Sequence, residues 1–218
     1  MNSYTYTRYS SAEGKLTLMK VPCFAAALFV ATLIMGAAAS AWAAPAPADL
    51  DMAIGQDDAP ITIIEYSSLS CSHCAKFHEE TLPMLQKKYI DTGKVRLIFR
   101  EFPLERTAFW ASIIARCAGE KRYFAFVNVF FKKQQSWYAA EDPFQSLLQI
   151  ARLGGLSANA VKACTDDDAL GDGILKTRLD GEQKHEVSST PSFVIDGKTY
   201  RGALTMEQLE EIITPLLP

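Results

Sequence analysis

Apolar positions follow three rhythms along this chain, and each predicts a different kind of element. The first is the strand rhythm. Ile61-Thr-Ile-Ile-Glu-Tyr66 is β-branched and apolar, so it reads as a buried central strand whose two-residue period puts Ile61, Ile63 and Glu65 on one face. Lys94-Val-Arg-Leu-Ile-Phe99 reads as the next strand, and a brief one is expected around Met52 to Ile54. Ser192-Phe-Val-Ile195 is a later strand, turning at Asp196-Gly197 into Thr199-Tyr200. The second rhythm is helical. A helix is predicted from Cys71 to about Thr92, kinked at Pro83 and closed by Gly93. From Thr107 to Val187, one stripe joins Phe109, Trp110, Ile113, Ile114 and Cys117, and another joins Tyr123, Phe124, Val127, Phe130 and Phe131. Both stripes read as core rather than as a cofactor site. Gly154-Gly155 and Asp166-Asp167-Asp168 divide this block into several helices. Thr205 and Gln208 make a capping box for a last helix with Leu209, Ile212, Ile213 and Leu216 as its apolar face. The predicted order is β-α-β, a helical insertion, then β-β-α, with the first two strands parallel.

The third rhythm is an uninterrupted apolar run. Residues 21–40 carry no charge, follow Arg8, Lys15 and Lys20, and run into Ala41-Trp42-Ala43. This is the pattern of a secretory signal peptide with cleavage expected after Ala43, the alternative being a retained membrane anchor. Cleavage removes Arg8, Glu13, Lys15, Lys20 and Cys23, leaving 175 residues with a net charge of −5 instead of −3. With no run of Lys or Arg, the chain lacks the electrostatic footprint of a nucleic-acid binder. Residues 44–59 form a polar lead-in rich in Pro and Asp.

Export changes the meaning of the four remaining cysteines, Cys71, Cys74, Cys117 and Cys164, because disulfides persist in an oxidising compartment. Three pairings are possible in principle. Cys71-Ser72-His73-Cys74 stands at the junction of a buried strand and a helix, within reach of a disulfide that opens and closes without moving the fold. At the helix N-terminus, Cys71 meets unpaired N–H groups and the positive end of the dipole, which favour its thiolate and make it the attacking sulfur. Cys74, one turn further in, is the resolving thiol. His73 can stabilise the Cys71 thiolate through its imidazole or its N–H, and Glu65 on the core face can accept the Cys74 proton. Two other readings of the motif are a plain structural disulfide and a metal site made from Cys71, Cys74 and His78, with or without His73.

Together with Ala59-Pro60, Phe77-His78, Phe99-Arg-Glu-Phe-Pro103, Cys117, Cys164 and Thr190-Pro191-Ser192-Phe193, the motif resembles the DsbA-like branch of the thioredoxin superfamily. The resemblance covers essentially all of 59–218. It implies an α/β thioredoxin fold with an inserted helical domain: leader 1–43, lead-in 44–60, thioredoxin-like domain 61–103 and 188–218, insertion 104–187. It further implies a cis-proline at Pro191 facing the cysteine pair, Glu65 as the family's buried acid, and thiol-disulfide exchange with exported proteins in the periplasm. No cofactor is implied, and re-oxidation would fall to a membrane partner of the DsbB type. Two positions depart from the pattern: Ser72 replaces a proline common between the cysteines, and Thr190 stands where the best-known oxidases have valine. With the active-site pair using Cys71 and Cys74, Cys117 and Cys164 are expected to form a structural disulfide. The short lead-in leaves no room for a dimerisation domain, so a monomeric oxidase is expected over an isomerase.

Overall fold

The computed structural model describes residues 44–47 and 51–218, so the leader expected over 1–43 lies outside the described residues. Five strands form one sheet in the order β1-β3-β2-β4-β5. They are β1 (Met52–Ile54), β2 (Ile61–Ser67), β3 (Val95–Glu101), β4 (Ser192–Ile195) and β5 (Lys198–Arg201). The two longest strands, β2 and β3, are parallel and in register Ile61↔Val95 through Ser67↔Glu101, and the other pairs are antiparallel. β4 and β5 are joined through Asp196 and Gly197, both at positive φ, 48° and 72°, which a two-residue turn of this hand requires.

The helix after β2 is continuous but not uniform. Segments α1 (Ser72–Lys76) and α2 (Leu82–Leu85) alternate with wider π-helical turns over Phe77–Thr81 and Gln86–Ile90. The first wide turn precedes Pro83, which has no N–H to give, and there the Leu82 N–H reaches back to the Phe77 carbonyl. The wide turn also lets consecutive residues, Phe77 and His78, both face inward. Six helices follow: α3 (Arg106–Cys117), α4 (Glu120–Lys132), α5 (Gln134–Tyr138), α6 (Pro143–Leu153), α7 (Ala158–Thr165) and α8 (Asp168–His185).

Apolar residues collect in three places. Ile61, Ile63, Leu97, Phe193 and Ile195 pack one sheet face against Phe77, Leu85 and α9 (Met206–Ile213). Tyr66, Phe102, Val187 and Val194 cover part of the other, beneath α8. There a Cβ on Gly181 would come within 2.6 Å of the Tyr66 ring, so only glycine lets helix and sheet approach this closely. The largest cluster fills the helical insertion around Tyr123, Phe130 and Trp137, and it takes in Cys74 and Phe99 from the sheet side.

The last helix corrects one expectation. Its capping box forms between Thr205 and Gln208, and Leu209 and Ile213 are buried, but Leu216 is exposed. A 3₁₀ turn over Thr214–Leu216, at Pro215, ends the helix after Ile213 and turns the chain so that Leu217 packs on the core instead. The overall arrangement is a thioredoxin fold with a helical insertion.

Candidate active site

β2 ends at Ser67, and the loop Ser68–Ser70 carries the chain to Cys71, whose N–H closes a turn on the Ser68 carbonyl at 3.0 Å. Cys71 has an extended backbone, φ −81° and ψ 119°, and is the N-cap of α1. Its sulfur accepts the Cys74 N–H at 3.4 Å, the bond a Ser or Asp oxygen makes at an ordinary cap. The same sulfur donates its proton to the Thr190 carbonyl at 3.3 Å, so the Thr190-Pro191 segment, whose peptide bond is cis, lies directly against Cys71.

The two thiols, free in this structure, differ sharply. The Cys74 thiol, donating to the Cys71 sulfur, pulls Cys71 down to about 5 against the opposing effect of its own partial burial. Thr190 and the backbone N–H groups of Cys74 and His73 add to that lowering. His73 therefore acts on the sulfur through its backbone, and its imidazole is exposed. Cys74, fully buried, is pushed well above an ordinary thiol, first by desolvation, then by Cys71 and by the charge of Glu65. Ser67 works in the opposite direction on Cys74.

Beneath Cys74, both oxygens of the fully buried Glu65 face His78 Nε2, at 3.2 and 3.0 Å. The His78 ring stacks on Phe131 of α4 with centroids 4.4 Å apart, and its Nδ1 is buried without a partner. This corrects the metal-site reading of Cys71, Cys74 and His78. The imidazole is turned into the protein onto a carboxylate, and among the described residues no group of three His, Cys, Asp or Glu side chains is placed to hold a metal ion. The pairing of His78 with Glu65 went unread in the sequence, although a signal was present: His78 lies four residues after Cys74 and so on the same helix face.

A second buried polar group lies under the insertion. Glu101 accepts from Arg116 Nε at 2.6 Å and Nη2 at 2.9 Å, and from the Tyr123 hydroxyl at 2.7 Å. Arg116 also donates to the Pro47 carbonyl, and its own carbonyl accepts from Ala46 N–H at 2.9 Å, which seats the lead-in on α3. Next along α3, Cys117 is joined by a disulfide to Cys164 of α7, with Cα atoms 5.9 Å apart.

A buried thiol and a capped, partly exposed one, set on a thioredoxin fold beside a cis-proline, define a thiol-active site. Comparison with known proteins agrees. A family model described as thioredoxin matches residues 48–214, and the chain belongs to that family, in its DsbA-like branch. A Rickettsia bellii protein that carries the name of a protein-disulfide oxidoreductase is 33% identical over 148 residues, covering 67% of this chain and 57% of its own length. The chain thus spans little more than half of that relative. The crystal structure of alpha-DsbA1 from Wolbachia pipientis superposes with a TM-score of 0.71 at 32% identity, covering 78% of this chain and 92% of that one. BdbD from Bacillus subtilis, in its oxidised form, shares the fold with a TM-score of 0.65 at 20% identity, covering 80% and 97%.

Proposed function

We propose that this protein is a thiol-disulfide oxidoreductase that works as an oxidase, passing a Cys71–Cys74 disulfide to reduced, unfolded exported proteins. The observation that carries the reading is the asymmetry of the pair: a Cys71 thiol held low at a helix N-terminus beside a buried Cys74 thiol held high. In the oxidised protein, a substrate thiolate attacks the Cys71 sulfur, a substrate–Cys71 bond forms, and Cys74 leaves as a thiolate that takes up a proton in its buried site near Glu65. A second substrate thiolate then attacks the substrate sulfur and expels Cys71 as a stabilised thiolate. Two electrons have moved to the protein, and the substrate has gained one disulfide. Because the leaving Cys71 is the more acidic thiol, its reduced form is favoured, which makes the disulfide a strong oxidant.

In this reading residues 61–103 and 188–218 carry the chemistry, and 104–187 form the inserted helical domain. The substrate's extended backbone lies near Thr190 and Pro191, along a groove of about 550 Å³ whose lining includes His73, Lys76, Met84, Thr190 and Leu204. The protein acts as a monomer in the periplasm, its leader removed after Ala43, and a DsbB-type membrane oxidase restores the disulfide. Its oxidised form should convert a reduced two-thiol peptide to the disulfide in stoichiometric amount, and should do so faster than it rearranges a scrambled protein. A protein that refolds the scrambled substrate and leaves the reduced peptide untouched is an isomerase instead.

A further inference from the structure

The loop that presents Cys71 is held from outside its own domain. Gln134, the first residue of α5 and 63 residues further along the chain, is 5% exposed, and its Nε2 donates to the Leu69 carbonyl at 2.8 Å and to the Cys71 carbonyl at 3.0 Å. Those two carbonyls bracket Ser70, in the short connection between β2 and the cysteine helix. The Cys71 carbonyl also accepts the Ala75 N–H at 3.1 Å, so the amide of Gln134 joins the bond that starts the helix.

The platform under Gln134 is firm. A helix of five residues has little stability of its own, but Trp137 of α5 is fully buried and its Nε1 donates to the Phe130 carbonyl at 2.8 Å. One residue on from Phe130, Phe131 stacks against His78. The insertion therefore meets the cysteine helix both through apolar packing beneath it, at His78, and through a polar contact at its N-terminus, at Gln134.

We propose that Gln134 is a positioning residue for the Cys71 nucleophile, an inference that rests on the reading of Cys71 as the attacking thiol. Its N–H groups satisfy the Leu69 carbonyl and add a second donor to the Cys71 carbonyl that Ala75 N–H already engages, so the negative ends of both dipoles beside the nucleophile are opposed by positive ones. By fixing Leu69 and Cys71 together, the amide also holds Cys71 in the extended cap conformation in which its sulfur meets the Cys74 N–H. The loop stays in that conformation when a substrate pulls on the sulfur in the mixed disulfide. In this way the helical insertion sets the chemistry of a cysteine it does not contain.

Gln134→Met tests this, because it keeps the length and packing of the side chain and removes both N–H donors. In the full-length protein, following thiolate absorbance against pH, the Cys71 midpoint should rise by about one unit. The equilibrium constant for oxidation of glutathione by the disulfide should fall about tenfold, close to 30 mV. Gln134→Glu, which puts an acceptor where the donors were, should move both further. A folded Gln134→Met with the wild-type midpoint and the wild-type glutathione constant overturns the proposal. The unmutated protein supplies a measurement independent of whether the variants fold: the Gln134 side-chain amide resonances should shift with the same pH midpoint as the Cys71 thiolate, and resonances indifferent to that titration overturn it equally. If the wild type itself exchanges no disulfide with glutathione, the oxidoreductase reading has failed. If the wild type exchanges and the variants match it, the role of Gln134 alone has failed.

Discussion

The sulfur of Cys71 accepts a hydrogen bond from the backbone N–H of Cys74 at 3.4 Å, so the residue assigned to form the mixed disulfide also caps the helix, on the N–H of the residue assigned to resolve it. With a sulfur at the cap, ionisation of the nucleophile strengthens the helix start, because a thiolate is a better acceptor than a thiol and sits at the positive end of the dipole.

A pH dependence follows. The native Cys71 thiol ionises near pH 5, whereas in the unfolded reduced chain it ionises near 9. Between those values the unfolded state binds the proton and the native state does not, so stability rises with pH across that window and the contribution is lost as pH falls through about 5. The oxidised protein has no thiol to titrate. The stability of reduced protein relative to oxidised should therefore grow between pH 5 and pH 9, as measured by denaturant unfolding of both forms across that range. A gap that stays constant with pH contradicts the lowered Cys71.

Removing the disulfide of the insertion should cost stability and leave the chemistry alone. Cys117 and Cys164 close a loop for which chain entropy predicts about 4 kcal/mol. The double variant Cys117→Ala/Cys164→Ala should unfold at lower denaturant and, while folded, keep the Cys71 titration midpoint of the parent.

Glu101→Gln should be destabilising. The fully buried carboxylate accepts two bonds from the Arg116 guanidinium and one from the Tyr123 hydroxyl, and a neutral amide cannot reproduce all three charge-assisted bonds, a loss of about 1–3 kcal/mol. Urea unfolding measures the loss, which should carry with it protection of the lead-in that Arg116 holds through Pro47.

Gly181→Ala should also destabilise, by about 1–3 kcal/mol, because the added methyl meets the fully buried Tyr66 ring at 2.6 Å and neither the sheet nor the long helix α8 can easily yield. The same substitution at Gly197, where nothing lies within 4 Å of a Cβ, should cost only the strain of its positive φ.

The sheet was legible because its strands are short, rich in apolar residues and bounded by turn residues: Ile61 to Tyr66 and the Asp196-Gly197 hairpin follow from composition and period alone, and the structure extends the first of them by Ser67. The cysteine helix was legible in extent but not in pitch. A strict 3.6-residue period does not place Phe77 and His78 both inside, and the wide turn before Pro83 does. Cys71 and Cys74 announce themselves by spacing, and Glu65 by standing on an apolar face. Glu65's partner and the side chain that holds the Cys71 loop were hidden for a different reason. His78 and Gln134 act across separations of 13 and 63 residues, and no local pattern records which buried donor meets which carbonyl or carboxylate. Leu216 shows the same limit at the chain's end, where one proline turn moves burial to the next residue.

The most direct test of the central claim is to trap the mixed disulfide. Cys74→Ser leaves Cys71 able to be attacked or to attack, but removes the thiol that would expel a bound partner. Mixed with a peptide disulfide at pH 7, the variant should form a covalent adduct that survives acid quenching and maps by mass spectrometry to Cys71 alone, released by dithiothreitol, whereas Cys71→Ser should form none. An adduct that fails to accumulate on Cys74→Ser, or one that maps to Cys117 or Cys164, would contradict the assignment of Cys71 as the nucleophile.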